Sequence, residues 1–172
     1  LVENENALKE LFRRAAMPVA AHCEDEQTIR RNAEFYRKKY GEDVPVTLHP
    51  MIRSRDACFK STSFAVELAR EYNTRLHVLH LSTADEMKLF SADEILQEKR
   101  ITGEVCIHHL WFDDSDYDIL GAKIRWNPAI KTKYDRESLI NGINNDIIDV
   151  IATDHAPHTT EEKSGTYFKS PS

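Results

Sequence analysis

The chain has 172 residues, of which 41% are hydrophobic and 30% charged, so it is long enough for one domain with a hydrophobic core. Its formal net charge of −6 argues against nucleic acid or an anionic membrane as the main partner, since both favour basic patches. No membrane span of about 20 apolar residues is predicted, and the polar, acidic residues 1–10 do not resemble a signal peptide. The three cysteines form no CxxC pair, which predicts reduced thiols and a cytoplasmic protein.

Hydrophobic periodicity and capping residues predict helices and strands in alternation along the first half of the chain. The predicted elements are a helix over 4–16, a strand over 17–21, a helix over 24–40, a loop over 42–53 and a long helix over 54–72. Gly41 is suited to the end of the second helix and Ser54 to the cap of the third.

The second half of the chain continues this alternation. The predicted elements are a strand over 75–81, a helix from 83 to about 99, a strand over 102–107, an acidic turn or short helix over 113–120, a helix from 132 to about 144 and a strand over 147–153. Thr83 and Glu86 have the spacing of a capping box that would open the helix after the second strand.

Largely apolar strands that alternate with helices predict an α/β fold, in which helices cover a parallel sheet. Two architectures fit this order of elements, a doubly wound sheet and a (β/α)8 barrel. The sequence contains only five glycines and neither GxGxxG nor GxxxxGK[ST], so the nucleotide-binding fingerprints are absent.

Potential metal ligands follow the predicted strands. The first, second and fourth strands end at His22, His80 and Asp154, and the third ends at the pair His108 and His109. The carboxyl ends of barrel strands converge on one face, and imidazole and carboxylate are the ligands that suit a hydrolytic zinc centre. A single histidine at a strand end is more often structural, but the repeated placement favours a metal site.

Other polar residues are given simpler interpretations. His77 precedes His80 by three residues, so only one of the two is expected to face the barrel interior, and His80 is preferred. His49, flanked by prolines, is expected to be solvated. The carboxylates of residues 113–118 lack the spacing and the glycine of an EF-hand and are interpreted as a solvated acidic turn.

The most concentrated motif is Asp154-His155-Ala156-Pro157-His158, which directly follows a predicted buried strand. A carboxylate in contact with a metal-activated water can take its proton and pass it to a leaving nitrogen. His158 is placed to reach back over the mouth of such a site.

Five motifs together resemble those of the class I dihydroorotases, in the cyclic amidase branch of the amidohydrolase superfamily. They are Ala21-His22-Cys23-Glu24-Asp25, His77 to Thr83, Glu104 to Leu110, Lys123 to Lys131 and Ile151 to His158, and they span nearly the whole chain. The resemblance implies a (β/α)8 TIM barrel of the metal-dependent hydrolase type, of which residues 1–172 would supply strands five to eight.

The resemblance also implies roles for particular residues. His22 and His80 would bind the second of two zinc ions, and Asp154 would bind the first and act as general base and acid. Asn127 and His158 would contact the substrate. The implied reaction is reversible hydrolysis of the cyclic amide of dihydroorotate to N-carbamoyl-aspartate, a step of pyrimidine synthesis.

The sequence departs from the family pattern in three places. The His-x-His-x-Arg motif of strand one and the bridging lysine or aspartate of strand four are absent, and Asn127 is followed by Pro-Ala-Ile-Lys instead of the commoner Pro-Pro-Leu-Arg. We therefore expect both ends to be truncated, and the isolated stretch to be inactive and prone to associate through open sheet edges.

Two groups of alternatives stay open. An allantoinase or a dihydropyrimidinase (hydantoinase) would share the metal ligands, although Asn127 and the Glu24-Asp25 pair favour dihydroorotase. A catalytically inactive homologue would instead serve as a partner of aspartate transcarbamoylase. A homo-oligomer is expected in either case, and a doubly wound binding module is the least favoured reading.

Overall fold

The computed structural model describes residues 4–172, so the first three residues of the expected domain and of the polar opening segment lie outside the described residues. The helices are α1 Glu5–Arg14, α2 Glu26–Tyr40, α3 His49–Ile52, α4 Arg55–Tyr72, α5 Ile107–Trp111, α6 Tyr117–Leu120, α7 Lys133–Asn144 and α8 Thr160–Lys163. The strands are β1 Val19–Ala21, β2 Leu76–Val78, β3 Ile101–Cys106 and β4 Val150–Ala152. Four short 3₁₀ helices span Val46–Leu48, Glu86–Leu89, Asp114–Asp116 and Gly121–Ile124.

The four strands form one parallel sheet in the order β1-β2-β3-β4, as the alternation of strands and helices predicted. Sequential neighbours in a parallel sheet are the connectivity of a barrel wall, whereas a doubly wound sheet reverses its strand order. Among residues 4–172, the outer strands β1 and β4 each pair on one side only. The fold is therefore four consecutive βα units of a (β/α) barrel.

The main hydrophobic core lies between the sheet and the long helices. Buried side chains of α1, α4 and α7 pack against alternate residues of β2 and β3, and the residues at its centre are Phe12, Val66, Leu68, Leu76, Val78, Val105 and Leu139. Leu76 and Val78 face these helices, so His77 between them faces the opposite side of the sheet, the interior of a barrel.

The caps predicted at Gly41 and Ser54 are confirmed, and the Gly41 amide donates to the Arg37 carbonyl at the end of α2. The Ser54 side chain accepts a hydrogen bond from the Ala57 amide at the start of α4, and Thr132 and Asp135 form a capping box at the start of α7. The helix predicted from residue 83 to about 99 is wrong, because only the 3₁₀ turn Glu86–Leu89 forms. The Ser91 hydroxyl accepts from the Asp93 amide instead, and this local turn competes with helix continuation.

Three further expectations need correction. The segment predicted as a loop contains α3, and His49 at its start is 1% exposed instead of solvated. The last strand is not buried, since Val150 and Ile151 are 40% and 56% exposed where β4 has a single neighbouring strand among the described residues.

No helix within residues 4–172 is long and apolar enough to cross a membrane.

Candidate active site

Residues of the adjacent strands β1 and β2 place two imidazoles in contact at the carboxyl end of the sheet. The His22 Nδ1 atom lies 2.8 Å from the His80 Nε2 atom, and the two rings meet edge to face. Both residues follow the strands that pair in register, so the parallel sheet itself brings them together.

The backbone is unusual at two of the three candidate ligands His22, His80 and Asp154. His80 has φ of 40° and Asp154 has φ of 45°, in the left-handed region that non-glycine residues adopt rarely. Such conformations cost roughly 1–3 kcal/mol and persist where surrounding contacts impose them, often at functional sites. His80 thereby leaves the alternation of the strand, so the expectation that only one of His77 and His80 would face the interior is wrong.

A buried carboxylate holds the His22 ring. Glu24 Oε2 lies 3.3 Å from His22 Nε2 and also accepts a hydrogen bond from Arg53 Nη1. Burial opposes ionisation of Glu24, but the hydrogen bond with His22 and the charges of Arg53 and Lys131 outweigh it and lower its pKa to about 2. An ionised Glu24 fixes the hydrogen of His22 on Nε2, so the Nδ1 lone pair is directed at His80.

A second buried carboxylate shapes the segment that follows His80. Glu86 accepts hydrogen bonds from the Thr62 and Thr83 hydroxyls and from the backbone amides of Ser82 and Thr83. Burial raises the pKa of Glu86 above its ordinary value. This Thr83–Glu86 contact is the predicted capping box, and it fixes the turn that carries His80 instead of opening a long helix.

The buried side of the His80 ring has no comparable hydrogen bonds. The Nδ1 atom of His80 is buried and has no hydrogen-bond partner among residues 4–172. Burial lowers the pKa of His80, and the neighbouring His22 adds to this effect. A neutral ring is the form that donates a lone pair to a metal ion.

The other two strand ends open onto a cavity of about 790 Å³. Asp154, His155 and His158 form one wall, and His108 and Trp126 form another. The negative charge of Asp154, an exposed residue of the cavity wall, opposes the lowering of the pKa of both His80 and His108.

Further polar and aromatic groups lie on or beside the cavity wall. His158 Nδ1 lies 3.6 Å from the Glu162 carboxylate, and Lys163 donates to the Arg125 carbonyl. The His108 ring stacks on Trp126 with 4.5 Å between ring centroids, and burial lowers the pKa of His108 to about 4.

Asn127 lies beside this cavity instead of on its wall. Its side-chain amide donates to the Ser172 hydroxyl, and its buried Oδ1 atom has no hydrogen-bond partner within residues 4–172. The structure thus brings His22 and His80 into contact and sets Asp154 and His158 on one cavity, which Asn127 does not line.

Several residues of this region were not singled out from the sequence. Glu24 was noted only as part of a motif, and Arg53 and Lys131 were not considered as parts of the site. A signal existed for Glu24, since a carboxylate two residues after a candidate ligand is well placed to orient it. No such signal existed for Arg53, which is 29 residues away and meets Glu24 only through the turn of α3.

Comparisons with known proteins show what the chain is similar to. No family model matches the chain. The dihydroorotase of Anoxybacillus flavithermus is 36% identical over 171 residues, which cover 95% of this chain and 37% of the relative, and that of Bacillus pumilus is 33% identical over 99% of this chain and 39% of the relative. Over nearly its whole length, the chain is similar to part of these dihydroorotases. It spans less than two fifths of the length of these curated relatives.

Solved structures place the dihydroorotase-like chain in the same fold. A D-hydantoinase from a Bacillus species superposes with a TM-score of 0.86 at 24% identity, over 98% of this chain and 38% of that one. The dihydroorotase of Saccharomyces cerevisiae, in complex with 5-fluoroorotic acid, gives a TM-score of 0.59 at 15% identity over 66% of this chain. These likenesses show the amidohydrolase barrel as the fold, and the chain as four of its strands.

Proposed function

We propose that the complete protein carrying this stretch is a zinc-dependent dihydroorotase that interconverts dihydroorotate and N-carbamoyl-aspartate in the cytoplasm. The observation that carries the proposal is the contact of His22 Nδ1 with His80 Nε2, 2.8 Å apart at adjacent strand ends with Asp154 nearby. The names of the curated relatives support the choice of substrate.

The residues present fit a zinc ion. Two imidazole nitrogens that share a tetrahedral zinc are about 3.3 Å apart, so the observed pair needs only a small ring movement. Glu24 holds the outer nitrogen of His22, as carboxylates do around histidine ligands. We assign His22 and His80 to one zinc ion and Asp154 to the other, whose remaining ligands would lie in the strands that this stretch does not include.

Zinc, when bound, lowers the pKa of water toward neutrality and polarises a carbonyl group. Asp154 takes the proton of the attacking water and delivers it to the departing ring nitrogen, because its exposed carboxylate reaches the cavity directly. We assign substrate binding to His158, on the same wall, and to Asn127, which directly follows the cavity-lining Trp126 in the chain.

We also propose that the protein is a homo-oligomer, and that residues 1–172 alone are not an active monomer. Val150 and Ile151 expose apolar surface on β4, which pairs with β3 alone among the described residues. Unpaired apolar strands associate with other chains or with the rest of a barrel.

The experiment is an assay of the complete, zinc-loaded protein on dihydroorotate, allantoin, dihydrouracil and a hydantoin. Turnover of dihydroorotate above the others is the expected result. Preference for allantoin would indicate an allantoinase, and preference for dihydrouracil or the hydantoin would indicate a hydantoinase, which the barrel likeness alone also fits. No turnover by the folded, metal-loaded protein would favour an inactive homologue, to be tested for binding to aspartate transcarbamoylase.

A further inference from the structure

A second group of metal-ligating side chains lies at the carboxyl end of β3. Cys106 ends the strand, and His108 and His109 occupy the first turn of α5. One ligand atom from each of the three side chains lies within 4.8 Å of the other two. The strand-to-helix junction creates this cluster, because it turns the chain back within three residues.

Each of the three side chains has a ligand atom that is not used in a hydrogen bond within the described part of the chain. Within residues 4–172, neither the Cys106 thiol nor the His108 ring makes a hydrogen bond, while His109 Nε2 lies 3.0 Å from the Pro128 carbonyl oxygen. A carbonyl oxygen only accepts, so His109 carries its hydrogen on Nε2 and a lone pair on Nδ1. That Nδ1 atom is buried without a partner in a side chain that is 3% exposed.

The surroundings hold the cluster in place and leave it a route to solvent. The stack of His108 on Trp126 restricts the His108 ring, and the hydrogen bond to Pro128 restricts His109. Cys106 is fully buried, but His108 lines the large cavity beside Asp154. An imidazole held by a carbonyl on its far nitrogen is the usual arrangement of a histidine ligand.

We propose that Cys106, His108 and His109 bind a divalent cation of the zinc class at a site separate from the one assigned to His22 and His80. Thiolate and imidazole are the ligands that zinc prefers, and three of them leave a fourth position facing the cavity. On binding, the Cys106 thiol loses its proton to solvent and Sγ donates the freed electron pair to the cation, with no change of oxidation state. The proposal is independent of the substrate of the enzyme.

The test is a cobalt titration of the complete protein after its metals are removed by a chelator. The residues assigned to the catalytic ions include no sulfur, so a thiolate-to-cobalt charge-transfer band in the near ultraviolet reports the Cys106 site alone. We expect the band in the parent protein and its loss in Cys106→Ser. Cys58→Ser is the matched control, since Cys58 is equally buried but bonds to Ser82 instead.

A second variant keeps the test decisive if Cys106→Ser does not fold. His108→Gln changes a partly exposed ring on the cavity wall and should weaken cobalt binding at this site at least tenfold while circular dichroism stays unchanged. Zinc content measured by mass spectrometry should fall by one ion per chain in both variants. No sulfur band in the parent, or a band that survives in Cys106→Ser, would overturn the proposal.

Discussion

The two halves of the strand-end surface are built differently. At the ends of β1 and β2, His22 is held by Glu24 and Arg53, and the turn after His80 is held by four hydrogen bonds to Glu86. At the ends of β3 and β4, the ligand atoms of His108 and Cys106 have no partners among residues 4–172, and Asp154 is exposed.

The side chains at the ends of β1 and β2, the first half, are therefore held in place by the chain itself. The arrangement at the ends of β3 and β4, the second half, depends on what binds there. Buried, fully hydrogen-bonded carboxylates fix geometry at the cost of tolerance to substitution. Exposed or unpartnered groups contribute little to folding and remain available for chemistry. Substitutions of the buried carboxylates in the first half should therefore affect stability and metal affinity, whereas substitution of the exposed Asp154 in the second half should mainly affect turnover.

The largest expected effect is the loss of turnover in Asp154→Asn. General acid–base catalysis contributes about 10²–10⁴-fold to a rate, so kcat for dihydroorotate should fall by about this factor. Asparagine tolerates the positive φ of this position, and the side chain is exposed, so the free energy of unfolding should change by less than about 0.5 kcal/mol. Glu161→Gln, an exposed carboxylate on α8, is the control that should keep full activity.

A folded, metal-loaded Asp154→Asn protein with parental kcat would contradict the proposed role of Asp154. A large loss of stability would instead contradict the contrast between the two halves.

The next effect concerns the turn that follows β2. Arg55 bonds to two carboxylates, the buried Asp135 and the more exposed Asp85, and Asp135 also accepts from the Ala84 amide. Asp135→Asn should lower the free energy of unfolding by about 2–3 kcal/mol, less than the 3–5 kcal/mol of a fully buried pair because Arg55 is partly exposed. Asp85→Asn should cost about 0–1 kcal/mol.

Chemical denaturation of the complete protein measures both values. Equal losses in the two variants would show that burial does not distinguish these carboxylates, and would remove the argument for a preorganised first half.

Glu24→Gln tests preorganisation at the metal ligand itself. The loss of a carboxylate behind a histidine ligand costs about 10–100-fold in metal affinity. Competition with a chromophoric chelator should show this loss for the zinc ion assigned to His22 and His80. Glu42→Gln removes the carboxylate of another glutamate–arginine pair, on the surface with Arg37, and should leave zinc affinity unchanged. Parental affinity in Glu24→Gln would show that Glu24 has only a structural role.

The order of elements was predictable because it depends on local patterns. Apolar runs identified all four strands, and capping residues such as Ser54 and Thr132 marked the starts of helices correctly. Adjacent parallel strands then made the contact between His22 and His80 an expected consequence of their positions. Patterns failed where a tertiary contact overrode them, as with Thr83, whose capping box closes a turn instead of starting a long helix.

Long-range partners were not predictable in the same way. His49 lies between two prolines in a mainly apolar stretch, but nothing in that stretch indicates which distant groups cover its ring. Its ring is buried by Tyr167, 118 residues away, and by the carbonyl of Trp126, 77 residues away. Arg53 meets Glu24 for the same reason, since both depend on how α3 folds back on the sheet.

The smallest effect expected is a change in the pH dependence of stability through His49. Burial lowers the pKa of His49 to about 3, although the hydrogen bond to the Trp126 carbonyl opposes this. An unfolded histidine has a pKa of about 6.5, so between these pH values the unfolded chain binds the additional proton. The stability contributed by the neutral ring is therefore fully present above about pH 6.5 and is lost as the pH falls toward 3.

We expect His49→Gln to remove this part of the slope, up to about 1.4 kcal/mol per pH unit. Between pH 7 and pH 5 the parent should lose about 2 kcal/mol more stability than the variant, measured by denaturant unfolding at both pH values. The exposed His155 is the control, since His155→Gln should keep the parental slope. The buried rings of His108 and His109 remain in every variant, so only the difference between variant and parent reports His49. If His49→Gln kept the parental slope, the acid sensitivity would lie in the other buried rings, those of His80, His108 and His109 at the strand ends.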